Sequence, residues 1–206
     1  DFCPAQANPD GVCGDAPPVL TEITAIRGGQ VTSGNVRIEG AVVTAHDNLS
    51  FTIQDPDVAS GQLAALVVFV GAATGVAVGD TVIVEGSVTE YFGLTEIEDA
   101  TVVNHAPGTP IAPITLTVAE AATEPYESVL VTLSDGAVTD PSYDCTVVSP
   151  QCNDTNLWEI ASSIVADPKF YSGTDWVDHT GDLPITGVMF YRFERRRIRP
   201  RTAADF

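Results

Sequence analysis

The basic side chains of this 206-residue chain are concentrated near its C-terminus. Six of the nine lysines and arginines lie between positions 192 and 201, namely Arg192, Arg195, Arg196, Arg197, Arg199 and Arg201. If residues 195–201 form a β-strand, alternation places the odd-numbered arginines on one face and Arg196 on the other. A row of guanidinium groups could bind the phosphates of a nucleic acid or another polyanion, and salt would weaken that binding strongly.

Internal neutralisation is the alternative interpretation of the arginine row, and the composition favours it. The chain has 28 acidic residues against nine basic ones, which gives a net charge of −19. Most of such a surface repels nucleic acid and anionic lipid. Glu96, Glu98 and Asp99 fall on a predicted strand that matches the arginine strand, so they could neutralise the arginines across a domain interface.

Aromatic residues accompany the arginines and could stack on the bases of single-stranded nucleic acid. The candidates are Phe51, Tyr91, Phe92, Tyr191 and Phe193. Tyr91 and Phe92 lie at a predicted turn that could form the tip of a binding loop. Phe92 and Phe193 could instead close the ends of two β-barrels, and we expect this packing role for them. We also expect Trp158 to be a core residue rather than part of a carbohydrate platform with Trp176.

No catalytic constellation stands out in the sequence. His46, His105 and His179 fall in predicted loops without HxxxH or HExxH spacing. The chain contains no GxSxG motif, no CxxC motif and no glycine loop of the kind that holds phosphates. Carboxylates are too numerous for a catalytic pair to be identified. We therefore expect a protein that is not an enzyme and that carries no cofactor.

The four cysteines form two local pairs, Cys3 with Cys13 and Cys145 with Cys152. Each pair encloses a loop rich in turn-forming residues, as short disulfides do, whereas a zinc site would need the two loops to meet. Two local disulfides imply an oxidising compartment, so we expect an extracellular or cell-surface protein. No apolar run approaches the roughly 20 residues that span a bilayer, and we expect no membrane insertion.

Two stretches of the chain, residues 80–98 and 181–199, share one pattern in which an alternating strand passes through a glycine, turns at an aromatic residue and returns. The aligned pairs are Val84 with Ile185, Gly86 with Gly187, Phe92 with Phe193 and Ile97 with Ile198. Such a repeat predicts two copies of one small β unit. We expect a leader over residues 1–19, domains over 20–104 and 114–206, and a linker rich in proline and glycine over 105–113.

Alternating apolar residues and turn residues predict a series of short strands in each domain. In the first domain we expect strands over 20–26, 35–45, 49–55, 64–70, 80–90 and 94–103, with one short helical turn near 72–78. In the second we expect an apolar entry over 114–121, a long first strand over 127–140, further strands over 156–160 and 162–170, a closing hairpin beyond 183, and a surface loop over 141–155. This pattern is typical of a small barrel or sandwich.

Five strands with a small helix between the third and fourth correspond to the OB-fold plan. The segments VRIEGAVVTA, FTIQD and VGDTVIVEGSVTEYFGLTEI resemble OB-fold modules found beside the nuclease domains of secreted bacterial endonuclease/exonuclease/phosphatase-family enzymes. The segments EPYESVLVTL and ITGVMFYRFERRRIRPRTAADF resemble the continuation of those modules, with Ser128 in place of an expected glycine. The resemblance implies two tandem five-stranded OB-fold-like barrels. The residues of the nuclease domain itself have no counterparts in the chain.

Residues 1–15 resemble the cysteine-bearing end of a thrombospondin type 3 calcium repeat, through the pattern DxCPxxxNPD. Calcium requires six to eight oxygen ligands. This segment offers only Asp1, Asn8, Asp10 and Asp15, so we expect a disulfide-closed leader and treat calcium as a secondary hypothesis.

Together these observations predict a non-catalytic accessory binding module of a larger secreted or surface protein, joined to other domains of the same polypeptide. Its expected partner is single-stranded nucleic acid or another anionic polymer, contacted through Arg192, Arg195, Arg197, Arg199, Arg201, Tyr91, Phe92 and Tyr191. The alternative is a structural or adhesive spacer, or a glycan-binding module, in which the arginines form interdomain salt bridges.

Overall fold

Two β-sheets make up most of the computed structural model, which describes residues 17–135, 137–171 and 184–205. The first sheet contains β1 (Val19–Leu20), β2 (Asn35–His46), β3 (Ser50–Gln54), β4 (Ala65–Phe69), β5 (Asp80–Tyr91) and β6 (Leu94–Pro107). The second contains β7 (Ile114–Leu116), β8 (Leu130–Leu133), β9 (Val138–Tyr143), β10 (Leu157–Ile160), β11 (Ile164–Ala166), β12 (Ile185–Arg192) and β13 (Arg195–Arg199). The described helices are short: α1 (Ile23–Arg27), α2 (Val118–Ala121) and single 3-10 turns at Glu124–Tyr126, Cys145–Val147 and Ala203–Asp205. The prediction of a mostly β chain is confirmed.

The first sheet closes into a five-stranded barrel. Its strand order is β1-β2-β3-β4-β6-β5, and an additional pairing between β2 and β5 closes it. The strand β2 pairs with two strands along its length: residues 35–42 pair with β5, and residues 42–46 pair with β3. Aliphatic side chains that alternate along these strands fill the barrel, among them Val36, Ile38, Val43, Ile53, Leu66, Val84 and Ile97.

The second sheet repeats the order of pairings seen in the barrel. Each sheet contains a long antiparallel hairpin, β5–β6 in the first and β12–β13 in the second. The second strand of each hairpin also pairs in parallel with another strand, β6 with β4 and β13 with β11. The two sheets differ at the position of β2, which in the barrel pairs with both β5 and β3. In the second sheet two separate strands take this position: β8 pairs with β12, and β9 pairs with β10. The single strand predicted over 127–140 is therefore wrong, because Asp135 turns out of the strand and accepts a hydrogen bond from the Val118 amide at 2.7 Å.

The repeated sequence pattern forms the same hairpin twice, β5–β6 and β12–β13. Each hairpin turns through two residues, and Phe92 and Phe193, the first residue of each turn, both have φ of 51°. Gly86 and Gly187 pack equally closely against the returning strand. A Cβ atom added at either would lie 2.7 Å from a backbone oxygen, that of Glu98 or of Arg199. The alignment made from the sequence thus matches equivalent positions in three dimensions.

The helix α1 lies where a strand was expected. Residues 20–26 were predicted as a strand, but β1 ends at Leu20 and α1 follows, since Ile23 and Ile26 are three residues apart and both are buried on one helix face. The helix α2 begins at a capping box formed by Thr117 and Glu120. Each helix follows a short strand that pairs in parallel with the next strand along the chain. The helical turn predicted near 72–78 is not formed.

A disulfide joins Cys145 and Cys152, as predicted, and it is compatible with an oxidising compartment. Trp158 is buried in the core of the second sheet, which confirms that prediction. Cys3, Cys13, Trp176 and the four calcium candidates lie outside the described residues. Within the described ranges, no helix has the length and apolar character needed to cross a membrane.

Candidate binding groove between the two sheets

The two sheets contact each other through a small apolar cluster. It comprises Ala45, Val67 and Leu94 from the first sheet and Leu130, Val188 and Phe190 from the second. Two hydrogen bonds, the first of them buried, reinforce this contact. The Leu130 amide donates to the side-chain oxygen of Gln54 at 3.0 Å, and the Leu63 amide donates to the Pro125 carbonyl at 2.7 Å. The relative position of the sheets is therefore fixed by packing and by directional bonds.

A buried ion cluster lies beside this contact and is centred on Glu127, which is 1% exposed. Its carboxylate accepts hydrogen bonds from Arg27 at the end of α1 and from Arg196 of β13, each at 2.7 Å. The Thr95 amide donates a further bond at 3.2 Å. Burial raises the pKa of the Glu127 carboxyl, although Arg27 opposes this effect. Arg27 thus forms the ion pair between the two halves of the chain, while Arg196 pairs with Glu127 within the second half.

The other arginines of β13 point to the opposite face, where carboxylates also neutralise them. Arg197 is fully buried and donates to Asp154 at 2.8 Å and to Asp167 at 3.0 Å. The Nε of Arg199 donates to the same Asp167 oxygen at 3.0 Å. Burial alone would raise the pKa of Asp167, but Arg199 and Arg197 outweigh it and the net pKa is lowered. Arg201 pairs with Asp205 at 2.9 Å.

The ion pairs of the arginine row favour internal neutralisation over a row of free guanidinium groups. Arg197 is 0% exposed and Arg199 is 5% exposed, so neither presents a guanidinium group at the surface. The carboxylates that neutralise the row are Glu124, Glu127, Asp154, Asp167 and Asp205. They are not the expected Glu96, Glu98 and Asp99. Arg196, Arg197 and Arg199 all form their ion pairs within the second half of the chain, and it is Arg27 of α1 that pairs with Glu127 across the two halves.

Arg192 and Arg195 are the more accessible members of the row. The Arg192 guanidinium lies 4.7 Å from the centre of the Phe193 ring, a cation–π distance. Arg195 donates to the Tyr143 hydroxyl at 3.2 Å and lies 3.9 Å from Glu159. The more accessible arginines of the row therefore lie at the hairpin turn, where Arg192 ends β12 and Arg195 begins β13.

A groove of about 870 Å³ opens between the sheets, a volume within the range of small-ligand sites. Its aromatic lining consists of Phe69, Tyr91, Phe92, Phe190, Tyr191 and Phe193. Its carboxylates are Asp47, Glu96, Glu98 and Glu194, and its cationic groups are Lys169, Arg192 and Arg199. The structure thus brings together Tyr91, Phe92, Tyr191 and Arg192, four of the residues singled out from the sequence.

The turn between β5 and β6 carries the most exposed aromatic residues of the groove. Phe92 is 81% exposed and Tyr91 is 54% exposed, and their rings meet edge to face at 4.8 Å. The packing role expected for Phe92 is therefore wrong. Phe193, its counterpart, is half-buried against the disulfide loop. Phe51 is buried inside the barrel and cannot stack on a ligand.

Glu96 lies on the groove wall and is only 6% exposed. Burial raises its pKa to about 7, and the neighbouring carboxylates Glu98 and Glu90 add to this shift. Sequence reasoning identified Glu96 only as a partner for an arginine. Its burial could not be read from the alternation of β6, because the second sheet covers that face.

The groove offers aromatic stacking surfaces and carboxylate hydrogen-bond acceptors. In the part of the chain that the structure describes, no group of three or more histidine, cysteine or acidic side chains is placed to hold a metal ion. No protein-family model matches the chain, and no curated protein matches it significantly.

Proposed function

We propose that this chain is a non-catalytic binding module of a larger secreted or surface protein and that its groove binds a glycan. The observation that carries this proposal is the exposed Tyr91–Phe92 pair on the wall of a ligand-sized groove whose neighbouring arginines are already neutralised. Aromatic faces and carboxylates together suit a sugar, because the rings cover its apolar faces and the carboxylates accept bonds from its hydroxyl groups.

The charge of the groove argues against a polyanion as its main ligand. Four carboxylates line it against three cationic side chains. One of those three, Arg199, is paired with Asp167. Because the whole chain carries a net charge of −19, a polyanion would also be repelled before it reached the groove.

The accessory role follows from the architecture and from the resemblance to OB-fold modules of secreted nucleases. The first sheet is a closed five-stranded barrel, and we interpret the second as a related OB-fold-like barrel whose first strand is split into β8 and β9. In this proposal the buried arginines maintain the contact between the two barrels. The disulfide supports secretion.

Single-stranded nucleic acid is the second candidate ligand. The observation in its favour is that exposed rings and an exposed arginine, Arg192, lie on one groove, since stacking on aromatic side chains is a common mode of single-strand binding. With so few cationic contacts, its affinity would depend only weakly on salt.

Calorimetric titration separates the two candidates. We expect soluble oligosaccharides of β-linked glucose, N-acetylglucosamine or glucosamine to bind, and a thymidine oligonucleotide to bind weakly or not at all. Replacing Tyr91 and Phe92 together by alanine should weaken glycan binding at least about tenfold, or ~1.4 kcal/mol. Leu20→Ala, an exposed apolar residue outside the groove, is the control and should leave affinity unchanged. Absence of glycan binding, or equal binding by the double variant, would refute the proposal.

A further inference from the structure

Glu96 is a buried carboxyl group without a cation beside it. Only 6% of Glu96 is exposed, and the residue lines the groove from β6. No ion pair among the described residues includes it, and the side chain with which it shares a hydrogen bond is another carboxyl, Glu98. This differs from Glu127 and Asp167, the other deeply buried carboxyls near the groove, which each contact two guanidinium groups.

The charges around Glu96 leave it uncompensated. Glu98 lies two residues further along the same strand, and Glu90 lies on the neighbouring strand one position from Thr89, the residue opposite Glu96; both add negative charge near it. The remaining charged groups of the groove are Asp47, Lys169, Arg192, Glu194 and Arg199. Of the three cations among these, Arg199 is paired with Asp167, Arg192 lies over the Phe193 ring, and Lys169 forms no ion pair with Glu96 within the described residues. A carboxylate buried without a partner is unfavourable, so the group retains its proton until the pH reaches about 7.

We propose that the groove binds a ligand with a protonated amine, which lies against Glu96 and Glu98, and that this ligand is an amino-sugar polymer. The inference rests on the glycan-binding function proposed above. It narrows that function from sugars in general to those with a free amine, such as oligomers of glucosamine, and it disfavours their N-acetylated forms.

Three further observations support an amine at this position. The aromatic rings on the same groove wall, Tyr91 and Phe92, can face an ammonium group through cation–π contact. An ammonium group would supply the positive charge that the Glu96–Glu98 pair lacks. The net charge of −19 attracts a cationic polymer towards the protein over a long range.

Binding of a protonated amine should displace the proton of Glu96. The ammonium group stabilises the carboxylate form, so the proton leaves for the solvent and a charge pair replaces a neutral acid. At pH 6.0, below the pKa of Glu96, we expect release of about one proton per bound amine. The release is measured by calorimetry in buffers that differ in ionisation enthalpy.

The decisive experiment titrates the protein with glucosamine hexamer and with N-acetylglucosamine hexamer at pH 6.0. We expect the free amine to bind at least about tenfold more tightly than the acetylated form. Glu96→Gln, which keeps the shape of the protonated side chain, should abolish both this preference and the proton release. Asp99→Asn changes an exposed carboxylate of the same strand that does not line the groove, and it should keep both the preference and the proton release.

Each outcome bears on a different part of the inference. Equal affinity for the two hexamers would overturn the amine proposal while leaving glycan binding intact. Failure of both hexamers, and of glucose oligomers, to bind would overturn the proposed function as well. A Glu96→Gln variant that kept the preference and the proton release would show that Glu96 is not the amine site.

Discussion

Arg27 and Glu127, which are 100 residues apart, form a buried ion pair of 2.7 Å between the two sheets. Both side chains are at most 1% exposed. Arg196 completes the cluster from the second sheet. When one member of such a cluster is removed, the charges that remain are buried without compensation, and this is more costly than the loss of the attraction itself.

Replacement of Arg27 by methionine should therefore lower the free energy of unfolding by about 3–5 kcal/mol. Urea denaturation at pH 7 measures this loss. Arg37→Met is the control, because Arg37 pairs with Glu39 and Glu85 in a largely solvated setting, and it should have a much smaller effect. Similar losses in the two variants would contradict a special role for the buried cluster.

The arginines of β13 should differ sharply in their importance for stability. Arg197→Met leaves Asp154 and Asp167 without their shared partner, and we expect a loss of about 3–5 kcal/mol. Arg195→Met, on the same strand, breaks only a loose contact with Glu159 at 3.9 Å and should cost less than about 1 kcal/mol. Urea denaturation midpoints, compared between variants with equal m-values, would test the difference. If Arg197→Met were as stable as the unmodified protein, the arginines of β13 would not be needed for folding stability.

The two hairpin glycines should be equally intolerant of a side chain. In Gly86→Ala and Gly187→Ala the new methyl group would lie 2.7 Å from a backbone oxygen, so each hairpin must shift. We expect a loss of roughly 2–3 kcal/mol for each variant, of the size seen for overpacked cores. Gly40→Ala, at φ of 79° with no atom within 4 Å, should cost only about 1 kcal/mol. Thermal or urea unfolding of the three variants would show whether the matched positions respond alike.

The pKa of Glu96 predicts how stability depends on pH. Its folded-state value of about 7 exceeds the ordinary value of 4.5, so the folded protein binds the extra proton between these limits. The stability that Glu96 contributes is then present at pH 4.5 and is lost as the pH rises through 7. We expect a loss of about 2 kcal/mol by pH 8, less than full linkage because solvent screens part of the charge.

Urea denaturation of the unmodified protein and of Glu96→Gln at pH 5 and pH 8 isolates this contribution. Other groups titrate in both proteins and cancel in the comparison. Glu96→Gln should be the more stable protein at pH 8 and about equal to the unmodified one at pH 5. Parallel pH dependence in the two proteins would show that Glu96 titrates normally.

Much of the fold could be predicted from local sequence patterns. The strands β2 to β6 begin and end within a few residues of their predicted limits, because alternation and turn residues are local signals. The hairpin repeat and the Cys145–Cys152 disulfide could also be predicted from the sequence. The split between β8 and β9 could not, since it depends on a contact between Asp135 and the amide of Val118.

The candidate site was harder to predict, because its parts are brought together by tertiary structure. Arg197 is paired with a carboxylate 30 residues away, and Arg196 with one 69 residues away. With 28 acidic residues, no spacing rule selects Asp167 or Glu127. The groove exists only because one sheet covers part of the other, so the burial of Glu96 follows from their packing and not from β6 alone.

The central position of Glu127 also has a consequence for how the chain unfolds. Glu127 precedes β8 and pairs with Arg196 of β13, whereas Arg27 reaches it from α1 of the first half, so separating the sheets exposes an apolar contact and breaks the Arg27 ion pairs in one event. Melting of the second half alone would leave the buried guanidinium group of Arg27 without its carboxylates. We therefore expect the two halves to unfold together as one cooperative unit.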